Sequence, residues 1–372
     1  MPWLILGLTL LWLCYLLWEN RRAAKARRQL AHVVHVNGIR GKSTVCRLID
    51  AGLRAGGLRV FCKTTGTDPR VIGVNGDEEP LVRRGKANIK EQIKILRQAA
   101  GQGAQVLVIE CMALQPELQF AAQHRILRAD IGVITNVRRD HTDVMGNTLT
   151  EICEALSNTI PQNGVLFTGE KARREQLAQA AQKMGSSFIP AYPTGAEPPF
   201  DFAENIALAL SVCEYLGVSR EIALSGMAQY KRDPYALTIH KVHKAVWVNG
   251  LSINDVQSTC MVWEKLKKEH DWAGKRFILL LNNRADRGSR TRDMLQVCME
   301  LAPSEVWLMG ASQGYMARRL KKLPIPAMRF SSAAALDFTS LDENCVVFAA
   351  GNIADEGRAL MARIRKEGIA FV

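Results

Sequence analysis

A glycine-rich turn between an apolar run and a helical pattern constrains this chain more than any other feature. The stretch VVHVNGIRGKSTVCRL, residues 33–48, predicts a buried strand that runs directly into a helix N-terminus. Gly38 and Gly41 let the backbone approach an anion closely, and the N–H groups of the first helical turn point at it. Lys42 adds a positive charge, and Ser43 adds a hydroxyl that suits Mg²⁺. The turn therefore predicts a site for a nucleoside triphosphate with Mg²⁺.

The glycine spacing differs from the common phosphate-binding pattern G-x-x-x-x-G-K-[ST]. That pattern would need glycine where this chain has Val36, and the chain carries the shorter G-x-x-G-K-S-T at residues 38–44. A chance G-K-S is frequent, so an ordinary turn between strand and helix is the alternative interpretation. The strand before the motif and the helix after it favour the phosphate site.

Composition narrows the class of protein without choosing a partner. The 372 residues suffice for about two domains, and 48% hydrophobic with 23% charged residues is typical of a globular protein. The net charge of +13 suits a polyanion: a nucleotide, a nucleic acid, an anionic lipid, or an acidic substrate or product. A nucleic-acid partner is disfavoured because the basic residues are dispersed without interleaved aromatics. The nine cysteines contain no C-x-x-C pair, which indicates buried thiols in a reducing compartment.

The first 18 residues predict a membrane anchor. They carry no charged side chain, and as a helix they would span about 27 Å, close to the hydrocarbon core of a bilayer. Trp3 and Trp18 lie near the two ends, and the run is followed by Arg21, Arg22, Lys25, Arg27 and Arg28. The positive-inside rule predicts a single-pass protein of the cell membrane with everything after residue 20 in the cytoplasm. A buried or amphipathic helix is the alternative, but no polar face exists.

The rest of the chain alternates strands and helices, which predicts an α/β fold. The first half has strands predicted at 59–66, 106–114, 130–137 and 164–170, with residues 68–87 as a loop. The pattern breaks between residues 231 and 237, where a domain boundary is expected. Beyond it, strands at 244–252, 276–285, 305–310 and 345–352 predict a second, parallel, doubly wound sheet.

Polar residues interrupt the apolar runs where strands end, and in α/β sheets those ends face the ligand crevice. Glu110 closes the run VLVIE, so its strand-end position is expected to point it at the same place as Lys42. An isolated buried carboxylate there needs a partner or a metal. His141 follows the strand at 130–137 and is a candidate metal ligand or phosphate contact. Structural pairing of Glu110 with an arginine and a merely solvated His141 are the alternatives. In the second sheet, Asp286 lies between Arg284 and Arg287, which is more than a helix cap needs.

At this point the chain resembles the Mur ligase superfamily, the ATP-dependent amide ligases that include folylpolyglutamate synthase. The resemblance rests on GxxGKST at 38–44, Glu110, and Thr135-Asn136 leading into Asp140-His141-x-Asp143. Within the superfamily the chain is most similar to the catalytic subunits of poly-γ-glutamate synthase. Seven motifs occur in the order of that family: NGIRGKST (37–44), KTTGTD (63–68), ECMA (110–113), DHTDVMG (140–146), TIPQNG (159–164), NRADR (283–287) and GNI (351–353).

The resemblance implies a membrane anchor at 1–20, a P-loop, Mur ligase-like ATP-binding domain at 21–238 and a C-terminal Rossmann-like ligase domain at 239–372. The ATP-binding residues it implies are Asn37, Gly38, Gly41, Lys42, Ser43, Thr44, Asn205 on the adenine side, and Asp255. Glutamate, poly-γ-glutamate and small membrane subunits of the same system are the implied partners, with a homo-oligomer as a further possibility. Two features differ from the wider superfamily: the UDP-binding domain is absent, and residues 150–160 contain no lysine to carbamoylate as a second metal ligand.

The expected reaction joins glutamate through its γ-carboxyl group by way of an acyl phosphate. Lys42 is expected to stabilise the triphosphate, while Ser43, Glu110 and His141 hold Mg²⁺. A guanidinium matches a carboxylate fork, so Arg284 and Arg287 are candidates for the α-carboxylate of the incoming glutamate. Asp286 would orient them or take the amine proton, and Arg40 would contact the acceptor or the acyl phosphate. The rival hypothesis is a membrane-anchored P-loop ATPase that energises a partner without forming amide bonds.

Overall fold

The computed structural model describes residues 2–66, 68–83, 85, 87–253, 255–285 and 288–370. The chain divides into two compact units, Met1–Asp233 and Pro234–Val372. Each unit has its own sheet and its own buried core. The α/β class expected from the alternating pattern is confirmed.

The first unit begins with one unbroken helix, α1, Pro2–Gln29. Its apolar part is exposed, and it is long and apolar enough to cross a membrane. Only the last turns are packed against the unit: Ala23 and Ala26 are buried, and Arg27 forms an ion pair of 2.8 Å with Asp130. The helix therefore joins the apolar run to the folded unit without an intervening linker.

Eight strands form the sheet of the first unit, in the order β4-β3-β2-β5-β1-β6-β7-β8. Their bounds are β1 His32–Asn37, β2 Val60–Thr64, β3 Arg70–Ile72, β4 Glu78–Pro80, β5 Val106–Glu110, β6 Ile131–Ile134, β7 Val165–Thr168 and β8 Ser187–Pro190. The six strands other than β3 and β4 run parallel. The buried strands are almost continuously apolar, as expected for parallel strands covered on both faces.

The segment 68–87, expected to be a loop, instead contains two short strands. β3 pairs antiparallel with β2, and β4 pairs antiparallel with β3. The prediction was wrong here because the sequences RVI and EEP are too short to show an alternating pattern and lie at an exposed edge of the sheet.

Helices cover both faces of this sheet. They are α2 Lys42–Ala55, α3 Glu91–Gly101, α4 Pro116–Phe120, a π-helical segment Ala121–Leu127, α5 Thr142–Met145, α6 Leu149–Ser157, α7 Arg174–Lys183, α8 Ala203–Tyr215 and α9 Arg220–Ala228. α2 packs against α8 and α9 on one face, and α1 and α3 pack together on the unit.

The register of the central strands positions the predicted site. β1 lies between β5 and β6, with Val36 opposite Glu110 and Asn37 opposite Ile134. The segments that follow these three strands therefore leave the sheet at one edge, side by side.

The second unit has a seven-stranded sheet in the order β13-β12-β11-β14-β10-β9-β15. The strands are β9 Thr238–Val242, β10 Ala245–Asn249, β11 Arg276–Asn283, β12 Glu305–Gly310, β13 Ala327–Arg329, β14 Cys345–Gly351 and β15 Gly368–Ala370. The helices are α10 Val256–Glu269, α11 Gly288–Leu301, α12 Gln313–Leu320 and α13 Glu356–Glu367. The expectation of an all-parallel sheet is wrong at one edge, because β9 and β15 pair antiparallel. β9 and β10 are joined by a short hairpin, so no helical pattern separates them in the sequence as it separates the parallel strands.

Candidate functional site

The turn after β1 is built from glycines that no other residue replaces without strain. Gly41 has a φ of 81°, and a Cβ atom there would lie 2.6 Å from Oδ1 of Asn205. At Gly38 a Cβ atom would lie 2.1 Å from Oγ1 of Thr135. No side chain caps α2 at Gly41 among the described residues, so the first-turn N–H groups face the turn. The turn has the form of an anion site at a helix N-terminus.

Residues at the end of β6 fix this turn from the neighbouring strand. The backbone N–H of Arg40 donates to Oδ1 of Asn136 at 3.0 Å. The carbonyl of Arg40 accepts from Oγ1 of Thr135 at 2.6 Å and from Nδ2 of Asn136 at 3.0 Å. Both backbone polar groups of Arg40 are thereby paired, which holds the shape of the turn before any ligand arrives.

Lys42 folds back across the turn. Its Nζ donates to the carbonyl oxygens of Gly38 at 2.7 Å and Ile39 at 3.2 Å. Burial lowers the pKa of Lys42, whereas the carboxylate of Glu110 opposes that shift. The ammonium group therefore lies over the turn, and additional negative charge there would stabilise its protonated form.

Ser43 and Glu110 lie in contact, as the strand-end argument predicts. Oγ of Ser43 donates to Oε2 of Glu110 at 2.8 Å, and the backbone N–H of Thr65 donates to the same oxygen at 2.7 Å. Glu110 is only 3% exposed. Its carboxylate thus ties the ends of β2 and β5 to the first turn of α2, and it presents oxygen ligands of the kind that Mg²⁺ prefers.

Arg40 and His141 meet at Asp140 rather than at Glu110. Arg40 forms an ion pair of 2.9 Å with Oδ2 of Asp140, and Oδ1 of Asp140 accepts from the backbone N–H of His141 at 2.8 Å. The His141 Nε2 atom lies 3.5 Å from Oδ2 of Asp140, and the residue has a positive φ of 52°. Asp140 therefore links the turn to the loop after β6.

Asn205 lies against the turn and is held from behind. Its Nδ2 donates to Oδ1 of Asp201 at 3.0 Å, and the other oxygen of Asp201 accepts from the hydroxyl of Tyr230. Burial and the Asp201 carboxylate raise the pKa of Tyr230, so its hydroxyl stays protonated and donates. Because the amide nitrogen is engaged, the Oδ1 atom of Asn205 faces Gly41.

Two other predicted residues of the turn differ in their placement. Thr44 lies in the first turn of α2 and is partly exposed. Asn37 is 2% exposed, and its Nδ2 donates to Gln119 at 2.8 Å and Thr159 at 3.1 Å. The side chain of Asn37 is thus paired inside the unit, and its backbone carbonyl accepts from the N–H of Thr135.

Sequence reasoning missed Glu170, a second buried carboxylate at a strand end. One oxygen accepts from the N–H of Val137 at 2.7 Å, and the other accepts from the N–H groups of Ala172 and Arg173. It therefore fixes the loop that leads from Asn136 to His141. The sequence did carry a signal for this residue, because Glu170 comes after the apolar run VLFT much as Glu110 comes after VLVI.

In the second unit, polar residues collect where β11 and β14 end. A small recess there is lined by Asn282, Asn283, Arg284, Arg290, Met294, Gly351 and Asn352. Asn283 is 7% exposed, and its Nδ2 has no hydrogen-bond partner among the described residues; the same holds for Oδ1 of Asn282 and Oγ1 of Thr291. Asp286 and Arg287, predicted with Arg284 as a substrate site, lie outside the described residues.

Asp255, predicted to bind nucleotide, caps α10. Its Oδ1 accepts from the N–H of Ser258 at 2.8 Å, and its backbone carbonyl accepts from the hydroxyl of Thr259 at 2.7 Å. The residue is 3% exposed. Its side chain thus orders the start of α10.

Two family models match the chain. The model for the Mur ligase middle domain matches residues 36–206, and the model for the C-terminal domain of the poly-gamma-glutamate synthase CapB matches residues 235–367. The matches fall in the first and second unit, respectively.

The chain is also similar over nearly its whole length to individual proteins. It is 35% identical to the PGA synthase CapB of Bacillus subtilis, with 94% of each chain covered. It is 33% identical to the capsule biosynthesis protein CapB of Bacillus anthracis, with 98% of this chain and 83% of that protein covered.

Among solved structures, the bifunctional folylpolyglutamate synthase/dihydrofolate synthase of Yersinia pestis, complexed with AMPPNP and Mn ion, has the same fold. The TM-score is 0.73 at 18% sequence identity, with 95% of this chain and 97% of that chain covered. The fold expected from the sequence motifs is thereby confirmed.

Proposed function

This chain belongs to the CapB family of poly-γ-glutamate synthases, and we propose that it is a membrane-anchored ligase that uses ATP to join glutamate through γ-amide bonds. The observation that carries the proposal is the arrangement around residues 38–44. A turn that only glycine fits without strain, a helix N-terminus, Lys42 and the Ser43–Glu110 pair meet at one edge of a sheet. Membership in the CapB family supports the formation of an amide bond between glutamates at a site of this kind.

The turn fits the triphosphate of ATP. Backbone N–H groups of the α2 N-terminus and the Lys42 ammonium supply positive potential, and the glycines leave room for phosphate oxygens. The two carbonyls that now accept from Lys42 are weaker partners than a phosphate, so Lys42 can exchange them for phosphate oxygens. Asn205 lies against Gly41 and is proposed to contact the nucleoside.

Ser43 and Glu110 are the residues that would hold Mg²⁺. Their oxygens lie 2.8 Å apart, one neutral and one anionic, and Mg²⁺ takes few protein ligands beside phosphate oxygens and water. When bound, Mg²⁺ would neutralise charge on the phosphoryl oxygens. The orienting group for Glu110 is the N–H of Thr65, which stays bonded to the carboxylate.

The proposed reaction has two steps. A γ-carboxylate oxygen of the acceptor attacks the γ-phosphorus of ATP, which releases ADP and leaves an acyl phosphate. The amine of the next glutamate attacks the acyl carbon, inorganic phosphate leaves, and the nitrogen loses a proton. Lys42 stabilises the charge that develops on the γ-phosphoryl oxygens in the first step. Arg40, held by Asp140, is proposed to contact the acceptor or the acyl phosphate.

The second unit is proposed to bind the incoming glutamate through Arg284, with Arg287 and Asp286 as further candidates. Support comes from the recess at the end of β11, where Arg284 lies beside Asn283 and Arg290. A guanidinium binds a carboxylate with two parallel hydrogen bonds, and the Asn283 amide adds a donor that has no partner in the described structure.

Helix α1 is proposed to anchor the protein in the cell membrane, with both units in the cytoplasm. Its apolar part is exposed along its length, and basic residues follow it on the side of the folded unit. Synthesis beside the bilayer would suit hand-over of the polymer to small membrane subunits.

An isotope experiment tests the acyl-phosphate step. Glutamate oligomer labelled with ¹⁸O in its terminal γ-carboxyl group is incubated with the full chain, ATP, Mg²⁺ and glutamate. We expect one ¹⁸O atom in the inorganic phosphate from the first addition to each labelled oligomer, because the oxygen that attacks phosphorus leaves with it. Later additions activate the γ-carboxylate of unlabelled glutamate and should release unlabelled phosphate. Phosphate without ¹⁸O, accompanied by amide formation, would rule out this intermediate; hydrolysis without any amide would favour the partner-energising ATPase.

A further inference from the structure

We infer that the first unit makes a second contact with the membrane: the N-terminal end of α3 binds anionic lipid headgroups beside the anchor helix. The inference rests on the proposed anchoring by α1 and adds a surface to it. The surface is a basic collar of five exposed residues, Arg21, Arg22 and Lys25 on α1 with Lys90 and Lys94 at the start of α3.

Helix α1 fixes where the bilayer lies. The helix is unbroken from Pro2 to Gln29, so the direction of its apolar part is set by the turns that pack on the unit. Those turns are held by buried Ala23 and Ala26 and by the Arg27–Asp130 ion pair. A stiff helix with a docked end leaves one part of the unit facing the membrane.

The start of α3 is the part of the first unit that faces the membrane. The Nζ atom of Lys90 lies 3.9 Å from Oε2 of Glu19, the residue directly after Trp18. Trp18 ends the apolar run, where the headgroup region is expected. Lys90 therefore lies at the height of the headgroups, and Lys94 is one helical turn, about 6 Å, further along α3.

The N-terminal end of α3 carries exposed positive charge. The side chain of Lys90 is 62% exposed, and Lys94 is also exposed, so both ammonium groups are accessible. Each lies within about one Debye length, roughly 8 Å, of the level of Glu19, where the surface potential of anionic lipids still acts. The acidic residue of this helix end, Glu91, is engaged inward, with Lys63 at 2.9 Å and Arg83 at 2.6 Å. Glu19, which faces Lys90, adds one negative charge, and the five basic residues of the collar outweigh it, so the net outward charge is positive.

An apolar side chain adds to the match. Val82 is 80% exposed, and the next residue, Arg83, forms an ion pair with Glu91, the first residue of α3. An exposed valine next in the chain to a residue that is paired with the start of α3 suits the boundary between headgroups and acyl chains. Charge and this apolar contact together favour a bilayer surface over a soluble polyanion.

Lysine footprinting of the full chain in nanodiscs tests the contact. Discs of phosphatidylcholine alone are compared with discs that contain about one third phosphatidylglycerol, and the rate of acetylation of each lysine is read by mass spectrometry. We expect Lys90 and Lys94 to react about fivefold more slowly in the anionic discs, with the difference removed by high salt. Lys183 on α7 should react equally in both.

A matched pair of variants sharpens the test. In the wild type, anionic lipid should also slow hydrogen exchange at the start of α3, residues 87–94. Lys90→Gln/Lys94→Gln should abolish this slowing, whereas Arg174→Gln/Lys183→Gln, which removes the same charge from α7, should retain it. Equal acetylation of Lys90 and Lys94 in both discs, with the chain embedded, would overturn this contact and leave the anchor standing. Failure of the chain to enter discs would overturn both. Slowing by added polyglutamate in neutral discs, without slowing by anionic lipid, would also overturn the lipid assignment.

Discussion

The strand ends of the two sheets differ in how their polar groups are paired. In the first unit, Lys42 donates to two carbonyls and Ser43 donates to Glu110, so the expected ATP-site groups already hold one another. In the second unit, Nδ2 of Asn283 and Oδ1 of Asn282 are buried without a hydrogen-bond partner among the described residues. An unpaired buried polar group costs about 1–3 kcal/mol, which a bound ligand would recover. On the proposed function, the Lys42 and Ser43 groups of the first edge are organised before ATP binds, whereas the asparagines of the second edge would gain hydrogen bonds from their ligand.

If that comparison is correct, removing the charge of Glu110 has the largest effect. Glu110→Gln keeps an oxygen for Ser43 and Thr65 but loses the negative charge expected to hold Mg²⁺. We expect kcat/KM for ATP at limiting Mg²⁺ to fall by about 10²- to 10³-fold, as when one group that stabilises the transition state is removed. Steady-state ATPase measurements across a Mg²⁺ titration check this.

Glu170→Gln is the control for Glu110→Gln, because Glu170 is also a buried strand-end carboxylate that accepts backbone N–H groups. The substitution should lower the free energy of unfolding and loosen the loop after β6 that Glu170 holds. It should not shift the Mg²⁺ concentration that gives half the maximal rate. An equal shift in both variants would contradict the assignment of Glu110 to the metal.

A change at the second edge should separate the two substrates. Arg284→Ala removes a charge-assisted hydrogen bond, worth about 1.5–3 kcal/mol, so the KM for glutamate is expected to rise about 10- to 100-fold while the KM for ATP stays within about twofold. Arg292→Ala, an exposed arginine on α11, is the control and should change neither constant. A parallel rise in both KM values after Arg284→Ala would show that the two edges are not distinct in function.

Replacing a glycine of the turn by alanine should have a smaller effect on ATP binding, and Gly57 offers a close control. Gly41 and Gly57 both have a φ of 81°, but a Cβ atom would lie 2.6 Å from Asn205 at Gly41 and more than 4 Å from any other group at Gly57. Each alanine costs about 1–2 kcal/mol of backbone strain. Only Gly41→Ala should raise the KM for ATP, by about tenfold; equal KM values in the two variants would mean that the turn does not contact the nucleotide.

The last expected effect is on the stability of the core beneath the first edge and leaves catalysis aside. Burial lowers the pKa of His35 on β1 to about 4, and its Nδ1 is bonded to Gln123 at 2.8 Å. The unfolded chain, with the ordinary pKa of 6.5, takes up the proton first as pH falls. Stability is therefore full above pH 6.5 and is lost as pH falls towards 4, by about 2–3 kcal/mol. Urea unfolding at pH 7 and pH 4.5 should show this loss in the wild type and less of it in His35→Gln; identical losses would contradict it.

Local sequence signals located the two edges, but not the contacts that cross between strands. Glu110 and Asn283 were predictable because each ends a continuous apolar run, and parallel strand ends face the ligand. The support of Asn205 by Asp201 and Tyr230 was not predictable, because it depends on how α8 packs beside α2. Lys63 and Glu91 likewise meet only because β2 lies beside β5 with α3 above them, and strand order is not written in any one segment.

The short strands were missed for a different reason. β3, β4, β9 and β15 have three to five residues each, and they are stabilised by pairing with a neighbour rather than by their own pattern. A family resemblance could predict the fold without them, because the fold is defined by the buried parallel strands.

The most direct test of the account is a single assay of bond formation. Purified full chain in detergent or nanodiscs is given ATP, Mg²⁺ and glutamate, with Lys42→Ala as the inactive control, and phosphate release is measured together with oligomer length by mass spectrometry. The account predicts one phosphate released for each γ-linked glutamate added, and neither product with Lys42→Ala, which should fold normally. Phosphate release that is independent of glutamate and yields no amide would contradict it.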